Sequence, residues 1–388
     1  MKRLLAPVSL VLMMLTVSIS PAATYVVRPD GTGDLPTIQQ AVDAAGPGDT
    51  VELTSGTFTG TGNRGIAIQQ HDLLIRSQDG DPASCTIDCQ GADRGFTVAP
   101  HATGTRLEGI TIAHGNTTFA GDGVSAGGGV YDRTGDGNAV TGCVFYQNFS
   151  AGAGGGIAAE GSPVLTRCRF VENSASYGGG FAGLNAATTS PVIDHCEFFG
   201  NTALDGAGGA IGLESIGVSR QATIHGCTFA RNIAGNGAAI SIMAESSLID
   251  QCTFAENSAT DFNGAFYGAI VDLMGSSPVM TNCVVALSLQ GCAVSCAGSP
   301  TLTCCDVFGN ADGDWVGCIA GQLGQRGNVA GDPLFCQSSA DDFELQEASP
   351  CVPESNPSCG LIGALGQGCS GPTPTETTSW GRIKSRYR

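Results

Sequence analysis

Cys143-Val-Phe145-Tyr-Gln-Asn148 recurs as Cys168-Arg-Phe170-Val-Glu-Asn173, Cys196-Glu-Phe198-Phe-Gly-Asn201, Cys227-Thr-Phe229-Ala-Arg-Asn232 and Cys252-Thr-Phe254-Ala-Glu-Asn257. Two degenerate copies follow at Cys283-Val-Val285 and Cys305-Asp-Val307-Phe-Gly-Asn310. Between them lies a second mark: Gly127-Gly128-Gly129-Val130, Gly154-Gly155-Gly156-Ile157, Gly178-Gly179-Gly180-Phe181, Gly208-Gly209-Ala210-Ile211, Gly237-Ala238-Ala239-Ile240 and Gly268-Ala269-Ile270. A period of 22 to 31 residues means stacked units, each burying its apolar side against the next. The unit is rich in Val, Ile, Phe, Thr and Gly, so its segments are short strands. Cys and Phe stand two apart and share one strand face. The apolar residue three before each Cys (Leu165, Ile193, Ile224, Ile249, Met280) has the opposite parity, so the chain must bend between them. The recurrent Asn should stack on its own copies as an amide ladder, with coils ~4.8 Å apart.

Upstream, Val51–Leu53, Ile66–Ile68, Leu73–Ile75, Phe96–Val98 and Leu107–Ile112 read as further short strands. Pro36 opens an expected helix with Ile38, Ala41, Val42 and Ala45 at helical spacing, ended by Gly46-Pro47. Such a helix would cover the open sheet edge at the start of the stack. Insertions at 184–190 and 214–220 should bulge as loops while the marked strands keep register.

The paired Phe-x-x-Asn and Gly-Gly-Ala-Ile marks resemble the repeats of the polymorphic outer-membrane proteins, bacterial surface adhesins. The start, Val27-Arg-Pro-Asp30-Gly-Thr-Gly-Asp34-Leu-Pro-Thr37-Ile38-Gln39-Gln-Ala41 through Gly48-Asp49-Thr50-Val51, is similar to the opening of pectin-lyase-like β-helices, pectin methylesterases among them. The Asp-Phe-x-Phe-Gly strand that carries the methylesterase catalytic Asp is missing. Asn328-Val-Ala-Gly-Asp332-Pro-Leu-Phe335, with Phe343-Glu-Leu345, Ser349-Pro-Cys351 and Leu361-Ile-Gly363-Ala364, resembles the closing segment of secreted bacterial β-helix proteins. The fold class expected is all-β, a single-stranded right-handed parallel β-helix with an N-terminal capping helix.

The expected organisation is a signal peptide at 1–23, a β-helix domain at 24–370 and a Thr/Pro linker with a basic tail at 371–388. Within the domain, 24–50 is the cap, 127–310 the marked repeats and 328–370 the closing segment. The signal peptide rests on Lys2 and Arg3, the uncharged run Leu4–Ile19 and the small residues Ser20-Pro21-Ala22. It implies a secreted protein, extracellular or on the outer cell surface, with no transmembrane segment after cleavage. The tail from Trp380 to Arg388 reverses the charge of the body and leaves two readings, a solvated end or a sorting or surface-attachment tag.

The chain has 17 basic and 35 acidic residues, a formal net charge of −18. That balance repels nucleic acid, anionic membrane and polyuronates unless a cation bridges them. Of the 17 Cys, the seven at the repeat position should face inward as free thiols, because in-register neighbours hold Cβ atoms ~4.8 Å apart, beyond the usual ~3.5–4.5 Å of a disulfide. The other ten could form up to five disulfides in an oxidising compartment. Cys292-x-x-x-Cys296 offers zinc only half a site.

Chemistry-bearing residues concentrate in two columns. Two before Cys stand Thr166, Asp194, His225, Asp250 and Thr281; one before stand Arg167, His195, Gly226, Gln251 and Asn282. Asp194, His195, His225 and Asp250 should therefore cluster, as acid–base catalysis on a glycan needs, unless they merely decorate a solvated face. Arg169 with Glu197 and Arg231 with Glu256 should pair across coils. Asn310, Asp312 and Asp314 alternate in a loop as calcium ligands do, as do Asp79 and Asp81, so calcium is the one cofactor the sequence suggests. Tyr131, Tyr177, Phe199, Tyr267 and Trp315 are the candidate aromatic contacts for sugar rings. Two functions stay open. One is a scaffold, adhesin-like or glycan-binding, monomeric and without catalysis, whose partners are extracellular glycans or cell-surface components. The other is a polysaccharide lyase or glycoside hydrolase. The absence of Lys from the body, where only Lys2 and Lys384 occur in the chain, weighs against a lyase base.

Overall fold

A computed structural model describes residues 21–134, 136–184, 190–204, 206–213, 221–243, 247–260, 268–273 and 277–369. The leader, both insertions, Tyr267 and the basic tail lie outside the described residues, wholly or nearly so.

Among the described residues, each complete coil contributes one strand to each of three long parallel sheets, and the terminal coils contribute to fewer. Sheet A has eleven strands, from Thr24–Val27 to Thr301–Thr303; sheet B has ten, from Gly56–Phe58 to Asp306–Phe308; sheet C has nine, from Ile66–Ile68 to Cys292–Cys296. A shorter sheet D, from Phe149–Ala153 to Ser258–Ala259, lies between B and C in chain order. One coil shows the path. Ser162–Thr166 lies in sheet A, Arg169–Val171 in B, Ser174–Tyr177 in D and Phe181–Gly183 in C. The corners are left-handed residues: Arg167 (φ 51°), Glu172 (φ 54°) and Gly178 (φ 60°). The corner before Cys produces the parity change read from the sequence. The same device splits the expected strand Leu107–Ile112 at Gly109 (φ 61°), leaving Arg106–Glu108 and Thr111–Ala113.

Identical residues stack because the register is exact from coil to coil, Phe170 on Phe198, Phe198 on Phe229 and Phe229 on Phe254. The rings of Phe145, Phe170, Phe198, Phe229 and Phe254 lie 4.6–5.0 Å apart and within 9° of parallel. Gly156 makes room for this column, since a Cβ there would meet Phe170 Cδ1 at 2.7 Å. The amide ladder forms as expected. Nδ2 of Asn148, Asn173, Asn201 and Asn232 donates to Oδ1 of the next Asn at 2.9–3.0 Å. Each also donates to a backbone carbonyl one coil back, Asn201 to Phe170 O at 2.9 Å for example. Asn148, Asn173, Asn201, Asn232 and Asn257 are all buried, and the ladder supplies their side-chain amides with partners there.

The seven column cysteines are buried and free. Burial pushes the Cys143 and Cys168 thiols up and keeps them protonated. Of the other ten, six form three disulfides, Cys296–Cys318, Cys304–Cys359 and Cys336–Cys369. Five were possible from the count. Cys85, Cys89 and Cys351 are instead buried and unpaired, and Cys292 is half-buried. Cys296 is taken by its disulfide, so Cys292-x-x-x-Cys296 is not a thiolate pair.

The cap is α1, Ile38–Ala44, whose N-cap Thr37 accepts from Gln40 N. Its Gln39 side chain pairs with the backbone of Ala67, accepting from Ala67 N at 2.8 Å and donating to Ala67 O at 3.2 Å. Ala67 lies in Ile66–Ile68, the outermost strand of sheet C, so one side-chain amide substitutes for a missing neighbour strand. At the other end the closing segment forms a small sheet of Phe335–Gln337, Asp342–Gln346 and Gln367–Cys369. It lies back over the outer face of sheet B. Phe335, Phe343, Leu345, Val352 and Ile362 bury Val171, Phe199, Ala230, Ala255 and Ala286.

Candidate functional site

Sheet A presents two outward columns. One is Val164, Val192, Thr223, Leu248 and Val279; the other is Thr166, Asp194, His225, Asp250 and Thr281. Val164, Val192, Leu248 and Val279 are 38–40% exposed, a stripe of aliphatic groups in register. Inward-facing Leu165, Ile193, Ile224, Ile249 and Met280 hold the strands from behind.

The four expected catalytic residues do come together. Asp194 Oδ1 lies 2.9 Å from both His195 Nδ1 and His225 Nδ1. His225 Nε2 faces Gln251 Oε1 at 3.2 Å and Asp250 Oδ2 at 3.7 Å. The two imidazoles meet edge to face at 5.1 Å. The strand register places Asp194, His225 and Asp250 on three successive coils. His195 arrives from the left-handed corner beside them. Burial works to raise the Asp194 carboxyl, but hydrogen bonds from His225 and His195 outweigh it and hold it below the usual range. The hydrogen bond to Asp194 pushes His225 above the ordinary imidazole range against partial burial. Burial, then the nearby Cys283, raises Asp250. Two carboxyls set apart in this way can supply an acid and a carboxylate.

The aromatic candidates divide. Tyr131 is buried, its hydroxyl bonded to Glu160 and its ring between the guanidinium groups of Arg94 (5.4 Å) and Arg133 (5.7 Å). Phe199 is buried beneath Phe343 of the closing segment, 6.2 Å between ring centres. Neither is an exposed platform, because Tyr131 is covered by Arg94 and Arg133 and Phe199 by the closing segment. Tyr177 is half-buried and Trp315 packs half-buried against the core. Tyr267 lies outside the described residues.

The acidic loops are closed by protein donors. Asp312 Oδ2 accepts from Gly291 N at 2.9 Å, while Asp314 accepts from Asn310 N at 2.8 Å and Gly309 N at 3.1 Å. Asn310 points inward, 7% exposed, and accepts from Ser288 N at 3.2 Å. Three oxygen groups of the right type for calcium thus aim at separate backbone groups. Asp79 likewise accepts from Ser55, Ser77, Ser84 and Asp81 N, and the Ser77 and Ser84 hydroxyls hold its carboxyl well below the usual range. Both expected ion pairs form, Arg169–Glu197 and Arg231–Glu256, each at 2.8 Å. Arg231 also reaches Asp341 and the Ser338 carbonyl of the closing segment, contacts that no repeat pattern discloses.

Residues 44–215 match the family model described as right handed beta helix region. No curated protein matches the sequence. Among solved structures, the chain is similar to pectate lyase Pel9A (TM-score 0.47, 14% identity, 90% of this chain and 98% of that one). It is also similar to a PL6 alginate lyase in complex with a trisaccharide (TM-score 0.40, 12% identity, 64% and 56%). A third is the pectin methylesterase from Aspergillus niger (TM-score 0.32, 14% identity, 73% and 84%). No helix among the described residues is long and apolar enough to cross a membrane. With the family match at 44–215 and parallel coils running on to either side of it, the chain is a right-handed parallel β-helix.

Proposed function

We propose that this chain is an extracellular or surface-exposed scaffold that binds glycans along sheet A without catalysis. The observation that carries the reading is the pair of outward columns on that sheet. An aliphatic stripe lies beside a stripe of hydroxyl, carboxylate and imidazole groups, repeated at ~4.8 Å. Aliphatic groups take the C–H faces of sugar rings and the polar column takes their hydroxyls. Asp194, Asp250 and a net charge of −18 favour a neutral glycan over a polyuronate. Three disulfides support an oxidising compartment. An adhesin-like role, the monomeric state and the outer-surface location belong to the same proposal.

One observation favours a second reading, a glycoside hydrolase or lyase: Asp194 and Asp250 flank His225 with their carboxyls shifted in opposite senses. A glycan array run together with a depolymerisation screen of neutral and acidic polysaccharides separates the two. Retention on neutral glycans without new reducing ends or unsaturated products is the expected result, and Val192→Asp with Leu248→Asp should abolish it. Product formation lost in Asp194→Asn or Asp250→Asn would establish the enzyme instead.

A further inference from the structure

The Asp194, His195 and His225 group has a feature that neither glycan contact nor acid–base chemistry requires. Among the described residues it is the one group of three side chains whose potential ligand atoms all lie within 4.8 Å of one another. Two imidazole nitrogens converge on a single carboxylate oxygen, each at 2.9 Å. Donors in a tetrahedral site with bonds of 2.0–2.1 Å stand about 3.3 Å apart, so small side-chain rotations bring the three to ligating distance. The donor set, two imidazoles and one carboxylate, suits zinc and its neighbours and not magnesium or calcium.

Two further features are those of a built site. The far nitrogen of His225 is held by Gln251 Oε1 at 3.2 Å, with Asp250 Oδ2 at 3.7 Å. With Nε2–H donating there, Nδ1 can release its proton and exchange its hydrogen bond to Asp194 for a bond to the metal; an outer partner of this kind fixes the tautomer of a metal-bound imidazole. The corner one coil beyond His195 is Gly226, and a Cβ at that position would meet the His195 ring at 3.0 Å on both Cδ2 and Nε2. The flanking corners in the same column are Arg167 and Gln251, both left-handed with full side chains, so backbone strain alone does not demand glycine at 226. The bare corner gives the His195 imidazole its place over the next coil. His195 is half exposed, and Asp194 and His225 are about one-third exposed, so water or a ligand can complete the coordination.

We propose that Asp194, His195 and His225 form a binding site for one divalent transition-metal ion of the zinc class, with Gln251 and Asp250 orienting His225 and Gly226 admitting His195. The proposal shares Asp194 and His225 with the polar column of the proposed glycan face but does not rest on that reading, since its readout is the metal ion alone. Zn2+ titration of the purified full chain, followed by calorimetry and by competition with a chromogenic chelator, tests it. One ion per chain is expected. Affinity should fall at least tenfold in His225→Gln and in Asp194→Asn. It should fall similarly in Gly226→Asn, where the left-handed corner is kept but the new Cβ displaces His195. Arg167→Ala, one coil away, should bind as the parent does. Circular dichroism of each variant checks the fold, and the exposed His225 and Asp194 substitutions carry the test if Gly226→Asn does not fold. Absence of stoichiometric binding, or binding unchanged in both His225→Gln and Asp194→Asn, overturns the proposal.

Discussion

The inside and the sheet A face of this solenoid are built on the same register, yet they treat it in opposite ways. Inward, a position repeats one residue: Phe on Phe, Asn on Asn, Cys on Cys. Outward on sheet A, the same regularity carries Thr166, Asp194, His225, Asp250 and Thr281 in turn. Uniform columns are packing devices, because a ring or an amide finds its best partner in its own copy one coil away. A column that changes residue type at fixed spacing gains nothing from self-stacking. Under the proposed function, that variation is what a bound glycan would read.

This contrast can be broken from the inside with large effect. Phe198→Ala removes a ring stacked on both sides and should cost about 3–5 kcal/mol, measured by denaturant unfolding. Asn201→Ala leaves Phe170 O and the Asn173 donors without their side-chain partner, while Asn232 Oδ1 keeps the backbone N–H of residue 201, at about 1–3 kcal/mol for each group that water cannot reach. Equal substitutions on sheet A, such as Asp194→Asn, should stay within about 1 kcal/mol. If the two classes cost the same, the division between packing and reading columns is wrong.

A change of intermediate size concerns the closing segment. Arg231→Ala removes contacts to Glu256, Asp341 and the Ser338 carbonyl. With the guanidinium about one-third exposed, a loss of about 1 kcal/mol is expected, with faster proteolysis near Ser338 and unchanged core stability. The smallest effect is pH-linked. The pKa of His225 is raised by its bond to Asp194, with Asp250, His195 and Gln251 also facing it. Its contribution is therefore full below the unfolded value of about 6.5 and is lost as pH rises through the higher folded value. His225→Gln should cost more at about pH 5.5 than at about pH 8.5, by less than about 1 kcal/mol, and a reversed sign would remove the assigned hydrogen bond.

What the sequence disclosed follows the same line. The Cys, Phe and Asn columns, the corner before Cys, the capping helix and the cross-coil pairs were legible because each is a local pattern repeated at a fixed period. The Asp194–His225–Asp250 grouping followed once the register was known. The burial of Tyr131 and Phe199 was not legible, since it depends on Arg94 and Glu160 around Tyr131 and on Phe343 over Phe199, all distant in sequence. One signal was available and went unread. Val171, Phe199, Ala230, Ala255 and Ala286 make the outward face of sheet B apolar, and an apolar outer face must be covered. The number of disulfides was equally a matter of distant geometry, because Cys85, Cys89 and Cys351 are sealed in packed surroundings.

The closing segment is fastened along several coils of the stack: the contacts of Arg231 with Ser338 and Asp341 lie toward one end, the Cys304–Cys359 disulfide at the other, and Thr253 Oγ1 and the Asn282 carbonyl accept from Ala364 N and Gly363 N between them. Between those fastenings it behaves as a ruler. A tandem duplication that added a coil between Arg231 and Cys304 would stretch one fastening by ~4.8 Å and break it. A coil added well before Arg231 would leave them all intact. Extra coils are therefore accommodated before Arg231 and not between the fastenings.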